Sequence, residues 1–205
     1  GWKAMVHQMQ AVERTRPNWA DMVEKARFHM GQAAVADQPS SVTCALLAQC
    51  SVMLNNDLVL GELYAGEARK LNPNNAFAYS AISCVELRKG NLEAALDAAR
   101  YGGQLAAATS YAPWWHLLAG LAAMAMEAYE DAIYHSRKAV MHSPNFRAPL
   151  RNLYVLYHAT RQETEAERYR VRLMEQEPDF SLHRLKTDLD YPASTIRASS
   201  LMSMI

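Results

Sequence analysis

Charge of one sign is missing from this chain of 205 residues: Lys+Arg and Asp+Glu each number 21, so the formal net charge is zero. Nucleic-acid binding draws on a basic excess along one face, so the balance argues against direct nucleic-acid contact by this segment. The Arg-rich stretch 161–172 does not change this, because Glu163, Glu165 and Glu167 interleave with its cations and make it read as a solvated helix face. Cysteine is scarce as well. Cys44, Cys50 and Cys84 form no CxxC pair and leave an odd count. That pattern points to a reducing, cytoplasmic setting with the thiols packed as small apolar groups.

Long hydrophobic runs are absent too. The longest, Leu117 to Met126, is far too short to span a bilayer, and no signal peptide opens the chain, so no membrane role is expected. No nucleophile–base signature, P-loop or dinucleotide fingerprint is present, and Gly102-Gly103 lacks phosphate-loop context. The chain therefore reads as non-enzymatic, with no cofactor. The histidines are scattered. His135 and His142 share a helix face but lie two turns apart, roughly 10 Å, too far to hold one metal. Because the chain starts at Gly1 and not at a methionine, it is read as a segment of a longer protein.

What is present is a globular composition, half apolar and one fifth charged, and a repeated phrase. Ser143-Pro144-Asn145-Phe146 recurs 34 residues later as Glu177-Pro178-Asp179-Phe180, and Ala132 recurs as Ala166 at the same interval. Pro39 and Pro73 are separated likewise. Helical periodicity fills the intervals. It predicts helices over 1–16, ending before Pro17, and from an Asn18 cap to about Ala36, with Trp19, Met22, Val23, Ala26 and Met30 on one stripe. Pairs follow at 42–54 and 58–71, at 76–89 and 92–100, from Pro113 to about 142, and at 147–160 and 163–177. The proline expected at position 107 is an alanine, and Pro73 to Pro144 exceeds two periods by three residues, placing an insertion near 107–112. Ser181 opens a short helix containing Leu182, Leu185 and Leu189, and the Ser-rich stretch 191–205 reads as either a capping helix or a frayed tail.

A helix–turn–helix period of 34 residues, with Gly120, Ala132, Ala139 and Pro144 and again Ala166 and Pro178, resembles the tetratricopeptide repeat (TPR) family over roughly 39–180. The resemblance departs from the family pattern at Gly61, which replaces an alanine, and in the aromatic residue missing late in most first helices. It implies an all-α fold, a right-handed α-solenoid of antiparallel helix pairs. The parts would be an N-terminal helical pair (1–41), repeats at 42–75, 76–112, 113–146 and 147–180, and a C-terminal cap and tail (181–205). More narrowly, the order of parts around Pro178-Asp179-Phe180-Ser181-Leu182 and Tyr191 resembles the C-terminal TPR region of bacterial signalling proteins. Such regions follow either a winged-helix DNA-binding domain or a class III adenylate cyclase domain.

The resemblance implies a protein or peptide partner on the concave face lined by the first helix of each pair. The matching positions are Leu46, Cys50 and Met53; then Phe77, Ser80, Cys84, Leu87 and Arg88; then Trp114, Leu117, Leu121 and Met124; then Arg151, Val155 and His158. Only Arg88 and Arg151 offer cations there, which disfavours clamping of a C-terminal carboxylate. A mostly apolar face with Met and Trp suits an amphipathic helix, from a partner or from another domain of the same chain. In the competing reading this face is covered by the superhelix, the 181–205 tail or a second copy. Adjacent residues on a helix point about 100° apart, so at most one of Trp114 and Trp115 faces the groove. The sequence also allows a homodimer through the tail or the Trp114 region.

Overall fold

The computed structural model describes residues 1–13, 19–35 and 37–205, and the side chains of these except Val12 and Trp19. The expected Asn18 cap, the stop before Pro17, the helix end at Ala36 and the packing of Val12 and Trp19 lie outside the described residues. Those residues are all-helical, without strands: α1 (Trp2–Val12), α2 (Trp19–Ala34), α3 (Ser41–Asn55), α4 (Leu58–Leu71), α5 (Ala76–Lys89), α6 (Leu92–Leu105), α7 (Ala112–Ala125), α8 (Tyr129–His142), α9 (Arg147–Ala159), α10 (Glu163–Gln176), α11 (Leu182–Thr187), α12 (Ser194–Ala198) and α13 (Leu201–Met204). The chain divides into two compact units, 1–108 and 109–205. The division coincides with the break in sequence period: short connectors span 72–75 and 143–146, whereas 106–111 is longer.

Helices pair in order as α1–α2, α3–α4 and α5–α6 in the first unit and as α7–α8 and α9–α10 in the second. From α3 onward each hairpin turns through a residue with positive φ: Asn56 (51°), Gly90 (82°), Glu127 (60°) and Arg161 (60°). Glycine meets this left-handed conformation without strain, whereas a side chain costs roughly 1 kcal/mol there. Arg161→Gly is therefore expected to raise stability by about 0.5–1 kcal/mol. An unchanged urea midpoint would show that the Arg161 turn is unstrained.

The repeated phrase has one structural meaning. Asn75 N–H bonds to Asn72 C=O (3.1 Å), Phe146 N–H to Ser143 C=O (3.1 Å) and Phe180 N–H to Glu177 C=O (3.0 Å). Each phrase thus closes a second helix and launches the next element. At the first, the Asn75 side chain accepts from Phe77 N–H (3.0 Å) and donates to Ser41 Oγ (2.7 Å), which in turn donates to Ala68 C=O (2.7 Å).

The first unit is built on small residues. Cys44, Ala45, Ala68 and Ala78 form one buried cluster, and Ala48, Ala65 and Ala81 another. Small side chains let α3, α4 and α5 pack closely, and α3 lies directly against α5. The second unit has a larger core containing Leu150, Leu153, Leu156, Tyr157, Tyr169, Leu173 and Phe180. Three expected boundaries are corrected. The helix expected over 1–16 ends at Val12, with Glu13 as its C-cap. The helix expected to end at Arg100 continues through Gly102-Gly103 to Leu105; Gly102 is buried, and packing there outweighs glycine's low propensity. Leu189 lies beyond the end of α11 and is exposed.

Candidate functional site

The fifteen residues expected on a partner-binding face fall on α3, α5, α7 and α9. In the first unit Leu46, Cys50, Ser80 and Cys84 are buried, Met53, Phe77 and Leu87 are partly buried, and Arg88 is exposed. On α3 the cause is α1, which packs against it; on α5 it is α3, α4 and α6, which all lie against that helix. Trp2 meets Phe77 edge-on at 5.2 Å. Gln49 Nε2 donates to Met5 Sδ (3.1 Å) and to Gln8 Oε1 (3.4 Å), while Ser80 Oγ donates to Gln49 Oε1 (3.0 Å). Burial pushes the Cys50 and Cys84 thiols up to about 12, and raises that of Cys44 too, so the three behave as packing groups.

The second unit is arranged differently. Whereas α3 and α5 pack together, α7 and α9 make no comparable contact; α12 lies on α7 and α13 lies on α9. The first helices are thus spread, and the tail fills the cleft between them. Ile196 and Leu201 are its buried anchors, in one core with Met124 and Val155; Met202 and Ile205 pack partly against that core. Leu117 is buried as well, whereas Trp114, Leu121 and His158 remain partly exposed. Trp115 is buried and Trp114 is the partner facing outward, stacked at 6.5 Å on Phe146.

Arg151 is not a free cation on this face. Its side chain is 1% exposed, and its Nε lies 3.4 Å from Oε1 of Glu177, itself 7% exposed. Arg151 Nη1 donates to Pro192 C=O (2.8 Å), and its guanidinium lies 5.3 Å from the Tyr191 ring centroid. The Tyr191 hydroxyl donates to Glu177 Oε2. Arg184, paired with Asp179 and Asp188, covers the same ring at 5.1 Å. Residues 181–192 are thereby pinned to α9 and to the end of α10 by a buried polar network.

Past Pro192 the attachment changes character. Burial of Ile196 and Leu201 stabilises the tail by about 1.5–3 kcal/mol each. Ordering the backbone opposes this by about 1–2 kcal/mol per residue. The polar ties are the Tyr129 hydroxyl with Ser200 Oγ, the Lys186 ammonium with the Ile205 carbonyl, and Arg197, which donates to Leu185 C=O (3.2 Å), Leu189 C=O (3.0 Å) and Tyr191 C=O (2.8 Å). Helices as short as α12 and α13 have little stability of their own.

Protein-family models give no match to this chain, and comparison with curated proteins finds none either. The site must be read from its own geometry.

That geometry holds a cluster that sequence spacing conceals. His135 and His142 are too far apart on α8 to meet, but His116 of α7 stands between them. Its ring centroid is 5.5 Å from that of His135 and 6.2 Å from that of His142, with the Nδ1 atoms of His116 and His135 at 3.3 Å. Among the described residues no group of three or more His, Cys, Asp or Glu is arranged to hold a metal ion. Burial, and then the charges of His142 and Lys138, hold the His116 imidazole below its ordinary pKa. The fold therefore favours the neutral ring. As pH falls below about 6.5, the unfolded chain takes up a proton that the folded chain resists, so stability is retained above that value and lost on acidification. The urea midpoint is expected to fall between about pH 7.5 and about pH 5, and His116→Gln to flatten the slope. A variant profile parallel to wild type would remove His116 from this role.

A second feature absent from the sequence reading is a groove of about 700 Å³ beside α8 and α10, lined by Tyr134, Arg137, Lys138, Met141, Tyr169 and Arg172. Within the Arg-rich stretch, Arg168 and Arg170 pair with Glu165 and Glu167 at the surface, as a solvated face should. Arg172 instead donates to Pro144 C=O (3.1 Å) and lies over Tyr169. No described helix is long and apolar enough to cross a membrane.

Proposed function

We propose that this chain is a non-catalytic, TPR-type interaction or sensing region of a cytoplasmic bacterial transcriptional regulator, acting through a protein or peptide partner. The observation that carries the interaction reading is the cleft between α7 and α9. It is an apolar slot between two first helices, and it accepts short amphipathic helices, as a helix-in-groove site does. The 34-residue recurrence of closing phrases and the small residues within each hairpin support the TPR-type solenoid. In the first unit α1 covers α3, and Leu46, Cys50, Ser80 and Cys84 are buried, so the partner surface is assigned to the second unit.

The regulator reading rests on the resemblance around Pro178–Tyr191. Sequencing the gene upstream of the Gly1 codon tests it. A winged-helix pattern in frame is expected. Paired metal-binding aspartates would place the region in a nucleotide cyclase, and neither pattern would leave an adaptor.

A further inference from the structure

The cleft between α7 and α9 already contains a ligand, and the manner of its attachment describes what else the cleft accepts. Residues 181–192 are fixed by buried groups: Arg151, Glu177 and the Tyr191 ring, which has the guanidiniums of Arg151 and Arg184 within 5.3 and 5.1 Å of its centroid. Residues 193–205 are fixed by two aliphatic anchors, Ile196 and Leu201, by Arg197 reaching back, and by the Tyr129–Ser200 and Lys186–Ile205 contacts. The carbonyls of Leu185, Leu189 and Tyr191 form an electronegative lip, and Arg197 is the guanidinium that fills it. This lip belongs to the pinned stem, so it persists when the segment beyond Pro192 leaves. A change at one proline from a buried ion pair to two aliphatic anchors with part-buried or exposed hydrogen bonds makes 193–205 a tethered, releasable occupant. The tether raises its local concentration and sets the threshold an outside ligand must exceed.

We propose that the cleft between α7 and α9 is a peptide site held closed by residues 193–205. The outside partner it fits is a segment bearing the same pattern, an aliphatic residue followed at once by arginine, with a second aliphatic residue four positions after the arginine. This rests on the interaction reading above and adds the recognition chemistry and its control. The two aliphatic residues occupy the positions of Ile196 and Leu201, and the arginine docks on the carbonyl lip. In the closed chain α12 and α13 exclude such a segment; in the open chain they become a free tail.

The test uses the full chain. A fluorescein-labelled peptide of sequence 193–205 is titrated into wild type and into the Ile196→Asp/Leu201→Asp variant, with folding checked by circular dichroism. Binding to the variant is expected to be at least about tenfold tighter than to wild type, because the tethered competitor is gone. The peptide carrying Arg197→Ala should bind at least about tenfold more weakly than the parent peptide, having lost its charge-assisted bonds. No binding to a folded variant, or equal binding of the two peptides, overturns the proposal. Hydrogen exchange on wild type decides independently of whether the variant folds. Amides of 193–205 should exchange at least about a hundredfold faster than those of α9, as a unit that opens by itself does. Exchange of the tail only together with α9 would make it a permanent cap and end the proposal. The interaction reading fails with it only if the folded variant also binds no peptide; binding by the variant would leave the cleft a helix-in-groove site that 193–205 caps permanently.

Discussion

Arg151→Ala is expected to destabilise the second unit by about 3–5 kcal/mol, the usual cost of removing one member of a buried ion pair. The substitution leaves the Glu177 carboxylate buried with only the Tyr191 hydroxyl, and it removes the donor that holds the Pro192 carbonyl. A conventional surface salt bridge contributes about 0–1 kcal/mol, so the size of the loss separates the two situations. Replacing the whole set by apolar groups, as Arg151→Met, Glu177→Leu and Tyr191→Phe together, should recover most of the loss, since no uncompensated charge then remains. Urea denaturation measures both. A loss below about 1 kcal/mol for Arg151→Ala would show that the pair is solvated in solution.

The second large effect separates two glycines of one helix. A Cβ at Gly61 would stand 2.5 Å from Val52 Cγ2 and 3.3 Å from Val85 Cγ2, whereas one at Gly66 meets nothing within 4 Å. Both anchoring valines are buried, so the neighbours cannot swing into solvent. Gly61→Ala should therefore destabilise by about 1–3 kcal/mol through overpacking. Gly66→Ala should stabilise by about 0.5–1 kcal/mol, because only the backbone entropy of glycine is removed. Opposite signs from chemically identical changes are the diagnostic result; equal signs would mean that α4 does not approach α3 and α5 as closely as described.

These two sites also show what a sequence reader can and cannot recover. Gly61 stood out as a departure from the family's alanine, and the structure supplies the reason: Val52 and Val85 already fill the space a methyl would need. The helix pairs from α3 to α10 and the long connector at 106–111 were legible because proline, asparagine and glycine mark turns through local backbone rules. The fate of the expected binding face was not. Assigning Leu46 and Cys50 to a groove required knowing that no further helix covers α3, and the weak, divergent pattern of 1–41 gave no sign that α1 would; Ser80 and Cys84 are buried on α5, which packs against α3, α4 and α6. Arg151 looked like an available cation because its partners, Glu177, Tyr191 and Pro192, lie far along the chain and carry no spacing signal. The His116–His135–His142 cluster was hidden for the same reason, since its middle member comes from another helix. Long-range pairing of this kind is where periodicity stops informing.

The central claim is that the first helices of the second unit are held apart by the chain's own tail. Methyl nuclear Overhauser spectroscopy on Ile, Leu, Val and Met tests it most directly. Cross-peaks are expected from the Ile196 methyls to residues of α7 and from the Leu201 methyls to residues of α9, with few direct contacts between α7 and α9. Strong α7–α9 cross-peaks, together with Ile196 and Leu201 at random-coil shifts, would contradict it.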